Sequence, residues 1–197
     1  MGQDFTKFAF TPSVKAAQKH YGSRTAYARQ EDAPDRFLLT QKEKNYIPTL
    51  DFFFMATVGE NGWPYVQFRG GPKGFLKILD DRTIGFADFR GNRQYISVGN
   101  INSGCRVALI LLDFAHQVRL KIWATATVAD AEDDPVLASK LIVPGYKARA
   151  ERLIVLTTQA YDWNCPQHIN PRFTEEEICT LLGHCKPEKI ETCETCH

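Results

Sequence analysis

The sequence predicts a mainly β domain, a small antiparallel β-barrel with flanking helices across its openings. Three observations carry that expectation. Four β-rich runs with turn signals between them fall within residues 50–89. Two further runs, CRVALILLDF (105–114) and VRLKIWATATVAD (118–130), lie side by side, and RLIVLTTQAYDW (152–163) adds a seventh. Only two or three helical patterns interrupt them, which suits a closed sheet with helical plugs.

The elements follow in order. TPSVKAAQKHYGSRTAYAR (11–29) has a capping Thr11, Pro12 at a first helical position and good helix formers after it, so it predicts a helix interrupted near Gly22. It serves as an N-terminal cover over residues 1–44. LDFFFMATVGENGWPYVQF (50–68) holds two strands around Gly-Glu-Asn-Gly, a hairpin signal. GFLKILDDRTIGFADF (74–89) repeats the arrangement with Asp80-Asp81 as its turn. NRQYISVGNINSG (92–104) breaks the pattern as a short helix closing at Gly99 or Asn100. CRVALILLDF is apolar throughout and pairs with the alternating VRLKIWATATVAD. DPVLASKLIVPGYKARAE (134–151) starts helical, and the seventh strand follows it. Residues 1–173 then form one domain, and 174–197 an acidic, Cys-rich tail.

Charge narrows the function classes. The chain has 24 Lys plus Arg against 23 Asp plus Glu, so no global field draws it to nucleic acid or an anionic membrane. Charge is segregated, however. Residues 66–121 carry nine basic and four acidic side chains, whereas the segment from Thr174 carries six Glu and two Lys. No stretch approaches the ~20 apolar residues of a membrane helix, and MGQDFTKFAF lacks signal-peptide order, so the expected compartment is the cytoplasm.

The basic half coincides with glycine-rich turns. GGPKG (70–74) and RGNR (90–93) each bring bare backbone and cationic side chains together, the combination that suits a phosphate. Asn92 or Ser97 would add neutral donors. The alternative is turn glycines beside solvated arginines. Neither GxxxxGK[ST] nor GxGxxG is present, which removes the common ATP and NAD cradles.

YDWNCPQHINPRF (161–173) is a second dense cluster. Cys165 and His168 have the chemistry of a nucleophile and base or of metal ligands, but their spacing is not diagnostic and a structural turn is the simpler reading. Trp163 and Arg172 suit a flat, charged cofactor better. The terminal CETCH matches the CxxCH of c-type haem attachment, making Cys193, Cys196 and His197 metal candidates, yet nothing follows His197 to enclose a haem.

The strings RGGPKGF, DFRGNRQYIS and WNCPQHI together resemble the FMN-binding proteins related to pyridoxamine 5'-phosphate oxidase, in the branch of predicted flavin-nucleotide-binding proteins. The likeness spans roughly residues 45–175. It implies an FMN-binding split barrel that forms a homodimer, with FMN in grooves at the subunit interface.

In the oxidases a basic strand residue, a Thr-Asn turn and a Ser-Arg-Lys run hold the phosphate of FMN. Carried onto this chain, the turn falls at Ala87-Asp88 and the run at Gly91-Asn92-Arg93. Arg93 then stands at the phosphate-binding lysine position, and Asn92 replaces a neighbouring arginine, leaving Arg69 or Arg90 to compensate. FLKIL places Lys77 near the ribityl phosphate, and VRLKIW points Arg119 at the isoalloxazine. Trp163 and Arg172 correspond to the pair that reaches the partner's flavin. Asp88, Phe89 and Gln94 complete the expected cofactor-binding set, with catalytic residues unassigned. The oxidases' substrate-binding Arg-x-His string is absent, since His168 precedes Arg172.

The resemblance implies a flavin-dependent oxidoreductase acting on a small molecule, with NAD(P)H as a candidate partner, and not a true pyridoxamine 5'-phosphate oxidase. The competing classes are a non-catalytic flavin carrier or redox-sensing module, a haem-binding split barrel with His116 or His168 as ligand, and a β domain with no cofactor.

Overall fold

The computed structural model describes residues 4–32, 35 and 37–183 of the 197-residue chain. The CETCH motif lies outside these residues.

The N-terminal segment is helical because its caps and breakers alternate. Asp4 accepts from the Thr6 amide and opens α1 (Phe5–Ala9). Thr11 and Pro12 open α2 (Pro12–His20), and Gly22, at φ 79°, turns the chain into α3 (Arg24–Glu31). A reciprocal capping box between Thr40 and Glu43 starts α4 (Gln41–Tyr46), which runs into a 3₁₀ turn at Ile47–Thr49.

Seven strands follow: β1 (Phe52–Val58), β2 (Pro64–Gly70), β3 (Lys77–Ile78), β4 (Thr83–Phe89), β5 (Arg106–Asp113), β6 (Val118–Asp130) and β7 (Ala150–Trp163). All pairings are antiparallel, in the order β2-β1-β5-β6-β7-β4-β3. The expected hairpin is present, with Val58 opposite Pro64 across the turn.

The expected closed barrel is not. No ladder among the described residues joins β2 to β3, so the sheet is open in its hydrogen bonding. It is nevertheless tightly curled. Phe53 on β1 meets Phe86 on β4 edge to face at 5.2 Å, although three strands lie between them and a flat sheet spaces strands by about 4.8 Å. The curl encloses one main core, in which Met55, Ile84, Leu111, Leu120, Ile122, Ile154 and Leu156 are fully buried.

Two further expectations need correction. β3 has two residues, because Phe75 and Leu76 both turn inward and are buried, which breaks the alternation a strand requires. The helix expected to close at Gly99 or Asn100 runs as α5 (Ile96–Gly104) to a left-handed Cys105. Ile101 is buried, Asn100 Nδ2 donates to Thr57 Oγ1 at 2.9 Å, and a Cβ at Gly99 would face open space. The helix therefore has packing reasons to continue and no steric reason to stop.

Helices are also more numerous than two or three. α6 (Pro135–Leu141) packs Leu141 against Leu153, and α7 (Glu175–Leu182) begins at a Thr174–Glu177 capping box inside the segment expected as a tail. The additional helices, α1, α4 and α7, have five to eight residues each, too short for a hydrophobic period to declare itself.

Candidate functional site

Side-chain alternation decides what the sheet edge offers. On β2, Pro64, Val66 and Phe68 point outward and are exposed, while Tyr65, Gln67 and Arg69 point to the concave side. Arg69 thereby faces β4 across the curl. Its Nη1 lies 2.5 Å from Asp88 Oδ1. Asp88 is directly opposite Arg152 of β7, whose Nε and Nη2 reach Asp88 Oδ2 at 2.9 and 2.8 Å. The carboxylate retains 5% side-chain exposure and each guanidinium 13%, so this is a buried ion triad.

After Phe89 the chain passes through Arg93 (φ 62°) and Tyr95 (φ 55°), both left-handed. The intervening Gln94 amide donates to Asn92 Oδ1 at 3.2 Å. Alternating backbone hand of this kind turns N–H groups toward one concavity. Tyr95 makes no side-chain cap, so α5 presents its N-terminus uncovered. Tyr95 also organises the arginines, its hydroxyl accepting from Arg93 Nε at 3.1 Å and its ring lying 4.7 Å from the Arg152 guanidinium.

These elements enclose a cavity of about 170 Å³ lined by Gln67, Arg69, Asp88, Phe89, Gly91, Asn92, Arg93, Tyr95, Ser97 and Arg152 among others. Arg69 Nε is buried without a hydrogen-bond partner. Burial pulls the Arg69 guanidinium below its usual range, with Asp88 opposing; burial also acts against Arg152, but its hydrogen bonds to Asp88 and Glu151 and their negative charges together outweigh it and raise the group. Both are cations at any ordinary pH. With three arginines, one carboxylate and a helix N-terminus, the donor set fits a phosphate group.

Five of the expected cofactor-binding residues meet here: Arg69, Asp88, Phe89, Asn92 and Arg93. Gln94 is exposed beside them. Four stand elsewhere. Lys77 is half-buried on β3 opposite Gly85. Arg119 sits on β6 opposite Leu112, its Nε buried without a hydrogen bond. Trp163 is engaged within the chain, donating from Nε1 to Glu43 Oε1 at 2.6 Å, with Tyr46 edge-on and Lys42 Nζ 4.1 Å above the ring. Arg172 lies 5.0 Å from the Phe114 ring in a second cavity of about 280 Å³, with Lys73 and the hydrogen-bonded pair Asp113–His116.

GGPKG does not act as a cradle. The Gly71 and Gly74 amides donate to the Asp51 and Leu50 carbonyls, and a Cβ at Gly71 would come within 2.7 Å of the Phe75 ring. Its glycines serve close packing. Arg90 is half-exposed, lies 3.6 Å from Glu151 and does not line this cavity. Cys165 is exposed, and no group of His, Cys, Asp or Glu among the described residues could hold a metal ion. Sequence reasoning missed Gln67, Tyr95 and Arg152. No local signal marks Arg152, whose partner Asp88 is 64 residues away.

Fold and pocket together define a β protein with an arginine-rich pocket at the rim of a curled antiparallel sheet. The family model described as pyridoxamine 5'-phosphate oxidase matches residues 39–160, and the chain belongs to that family. No curated protein matches it in sequence. Among solved structures it is similar to HupZ of Group A Streptococcus (15% identity, TM-score 0.50, covering 69% of this chain and all of that one). It is also similar to an FMN-binding protein of Syntrophomonas wolfei (15%, TM-score 0.45, 78% and 97%) and to general stress protein 26 of Bacillus anthracis (16%, 0.42, 68% and 95%). At 15% identity the likeness to HupZ is one of fold alone. Among the described residues no helix is long and apolar enough to cross a membrane.

Proposed function

We propose that the protein binds FMN, with the phosphate in the pocket between Arg69, Arg93 and the start of α5, and acts as a flavin-dependent oxidoreductase on a small molecule. The observation that carries this reading is the buried, unpartnered Arg69 Nε in a cavity whose charged groups are three guanidiniums and one carboxylate. Family membership supports the choice of a flavin phosphate over other anions. The flavin supplies the redox chemistry when bound. The chain supplies charge compensation from Arg69 and Arg93, a neutral donor from Asn92 Nδ2, and the backbone N–H groups at the start of α5; the Ser97 hydroxyl donates its one proton to Gln67 Oε1 at 2.9 Å instead.

The cavity is smaller than the ~300–1,000 Å³ of a site that encloses a drug-sized ligand. It therefore takes the phosphate end and leaves the ring in need of a second wall, for which a second copy of the chain is the reading we favour. The outward face of β2, β1 and β5 supports it. Val66 and Phe68 are 61% and 58% exposed, and Phe52, Phe54, Ala56, Ala108 and Ile110 continue the apolar surface. Aromatic contacts join Phe52 to Phe54, Phe68 and Phe114. An apolar surface of this kind on an edge strand is a liability unless covered.

Titration with FMN and with riboflavin, followed by anaerobic NAD(P)H addition, tests the reading. The expected result is tight FMN binding, weaker riboflavin binding and bleaching of the flavin absorbance. Bound flavin that no nicotinamide or dye donor reduces would leave a carrier, and a protein that refuses FMN would end the proposal.

A further inference from the structure

We propose that Arg152 is a phosphate-binding residue of this pocket, delivered by β7 and held in a ready position by Asp88 and Tyr95. The inference rests on the reading that the pocket takes a phosphate monoester, and it deepens that reading by naming what balances the ligand's charge.

A monoester carries about −1.5 to −2 charges at neutral pH. Arg69 and Arg152 share one carboxylate, Asp88, and together leave a single positive charge. Glu151, shared between Arg90 at 3.6 Å and Arg152 at 3.1 Å, offsets the one further charge that Arg90 brings to the cluster. Arg93 adds the second positive charge, so the pocket matches a dianion only when Arg152 is counted. Without Arg152, the Asp88 carboxylate would cancel Arg69 and leave Arg93 alone.

The geometry also leaves Arg152 able to bind. Its Nε and Nη2 reach Asp88, and its Nη1 reaches Glu151 at 3.1 Å. A guanidinium has five N–H groups, so two remain for a ligand. Carboxylates hold its nitrogens and its guanidinium carbon lies over the Tyr95 ring at 4.7 Å, which makes it pre-organised. Arg93 differs, being exposed and tied only by one bond to Tyr95 among its hydrogen bonds. Arg152 thus supplies fixed charge and Arg93 adaptable charge.

The test is a set of FMN and riboflavin titrations, monitored by flavin fluorescence, of the wild type, Arg152→Gln and Arg152→Lys, with thermal melts to confirm folding. We expect Arg152→Gln to lose at least about tenfold in FMN affinity, the effect of one charge-assisted hydrogen bond, while riboflavin affinity stays unchanged. Arg152→Lys, which keeps the charge and loses the planar fork, falls between. Wild-type affinity for FMN should rise as pH passes through the phosphate's second ionisation near pH 6, and this rise should flatten in Arg152→Gln. Equal losses for FMN and riboflavin, or none for FMN, would overturn the assignment. If Arg152→Gln does not fold, unchanged FMN preference in Arg152→Lys overturns it instead. A wild type that fails to prefer FMN over riboflavin overturns the FMN reading itself, independently of Arg152.

Discussion

The Arg69 guanidinium and the Asp88 carboxylate meet at 2.5 Å, although their strands, β2 and β4, are separated in the ladder order by β1, β5, β6 and β7. In a flat sheet that separation is about five strand spacings, or roughly 24 Å. Side chains therefore close at the rim what backbone hydrogen bonds leave open, and the same closure creates the arginine-rich pocket.

Replacing Asp88 by Ala leaves two buried guanidiniums facing each other without their shared anion. We expect a stability loss of about 3–5 kcal/mol, measured by urea unfolding. A loss within error would show that the triad does not hold the curl.

Replacing Arg93 by Ala should weaken FMN binding by at least about tenfold, since it deletes a charge-assisted contact. Lys77→Ala should change it by less than about twofold, because Lys77 does not line the pocket. Isothermal titration of both variants checks the placement; the reverse order of effects would move the phosphate to β3.

Glu43 gives stability a pH dependence. Burial alone would push its carboxyl up, but hydrogen bonds from the Thr40 hydroxyl and amide and from Trp163 Nε1 outweigh it and hold the group below its usual range. A carboxyl depressed in the folded state stabilises fully above its unfolded value, about 4.3, and loses that contribution as pH falls through the folded value. Urea midpoints of wild type and Glu43→Gln should therefore differ most near pH 6 and converge toward pH 3. A constant difference would mean that the carboxylate charge is not the source.

Val66→Lys places a charge in the middle of the outward apolar face. It should convert the proposed dimer to a monomer and weaken FMN binding, seen by light scattering and flavin titration together. A wild type that is monomeric and still binds FMN tightly would remove the second copy from the site.

Truncation after Phe173 removes α7, which contacts Lys73 through Glu176 at 3.9 Å and lies beside the Arg172 cavity, not the pocket lined by Arg69, Arg93 and Arg152. FMN affinity should stay within about twofold, as expected when only a screened, exposed ion pair is lost. Loss of the yellow colour would show that α7 belongs to the site.

Much of this molecule was legible from local pattern. The hairpin at Gly59–Gly62, the Thr11-Pro12 helix start and the seven strands follow from turn chemistry and alternation over a few residues. The unbroken apolar run of β5 was legible as a strand in the same way. DFRGNRQYIS showed its glycine and arginines, and five of the residues chosen from it and its surroundings line one cavity.

What sequence could not supply is any relation that depends on the curl. Whether Arg69 faces the pocket rests on the register of β2, since a one-residue slip would turn it to solvent. Arg152 enters only because β7 pairs with β4, a contact that 64 residues of intervening chain hide from any local reading. GGPKG and RGNR look alike as strings, yet packing against Phe75 and the Leu50 and Asp51 carbonyls consumes the first, while the left-handed turns at Arg93 and Tyr95 open the second. By itself, then, the sequence determined the strands, the family and the supply of cationic groups, because those reside in neighbouring residues. Tertiary structure decided which cations converge, because convergence depends on distances that only the folded sheet sets.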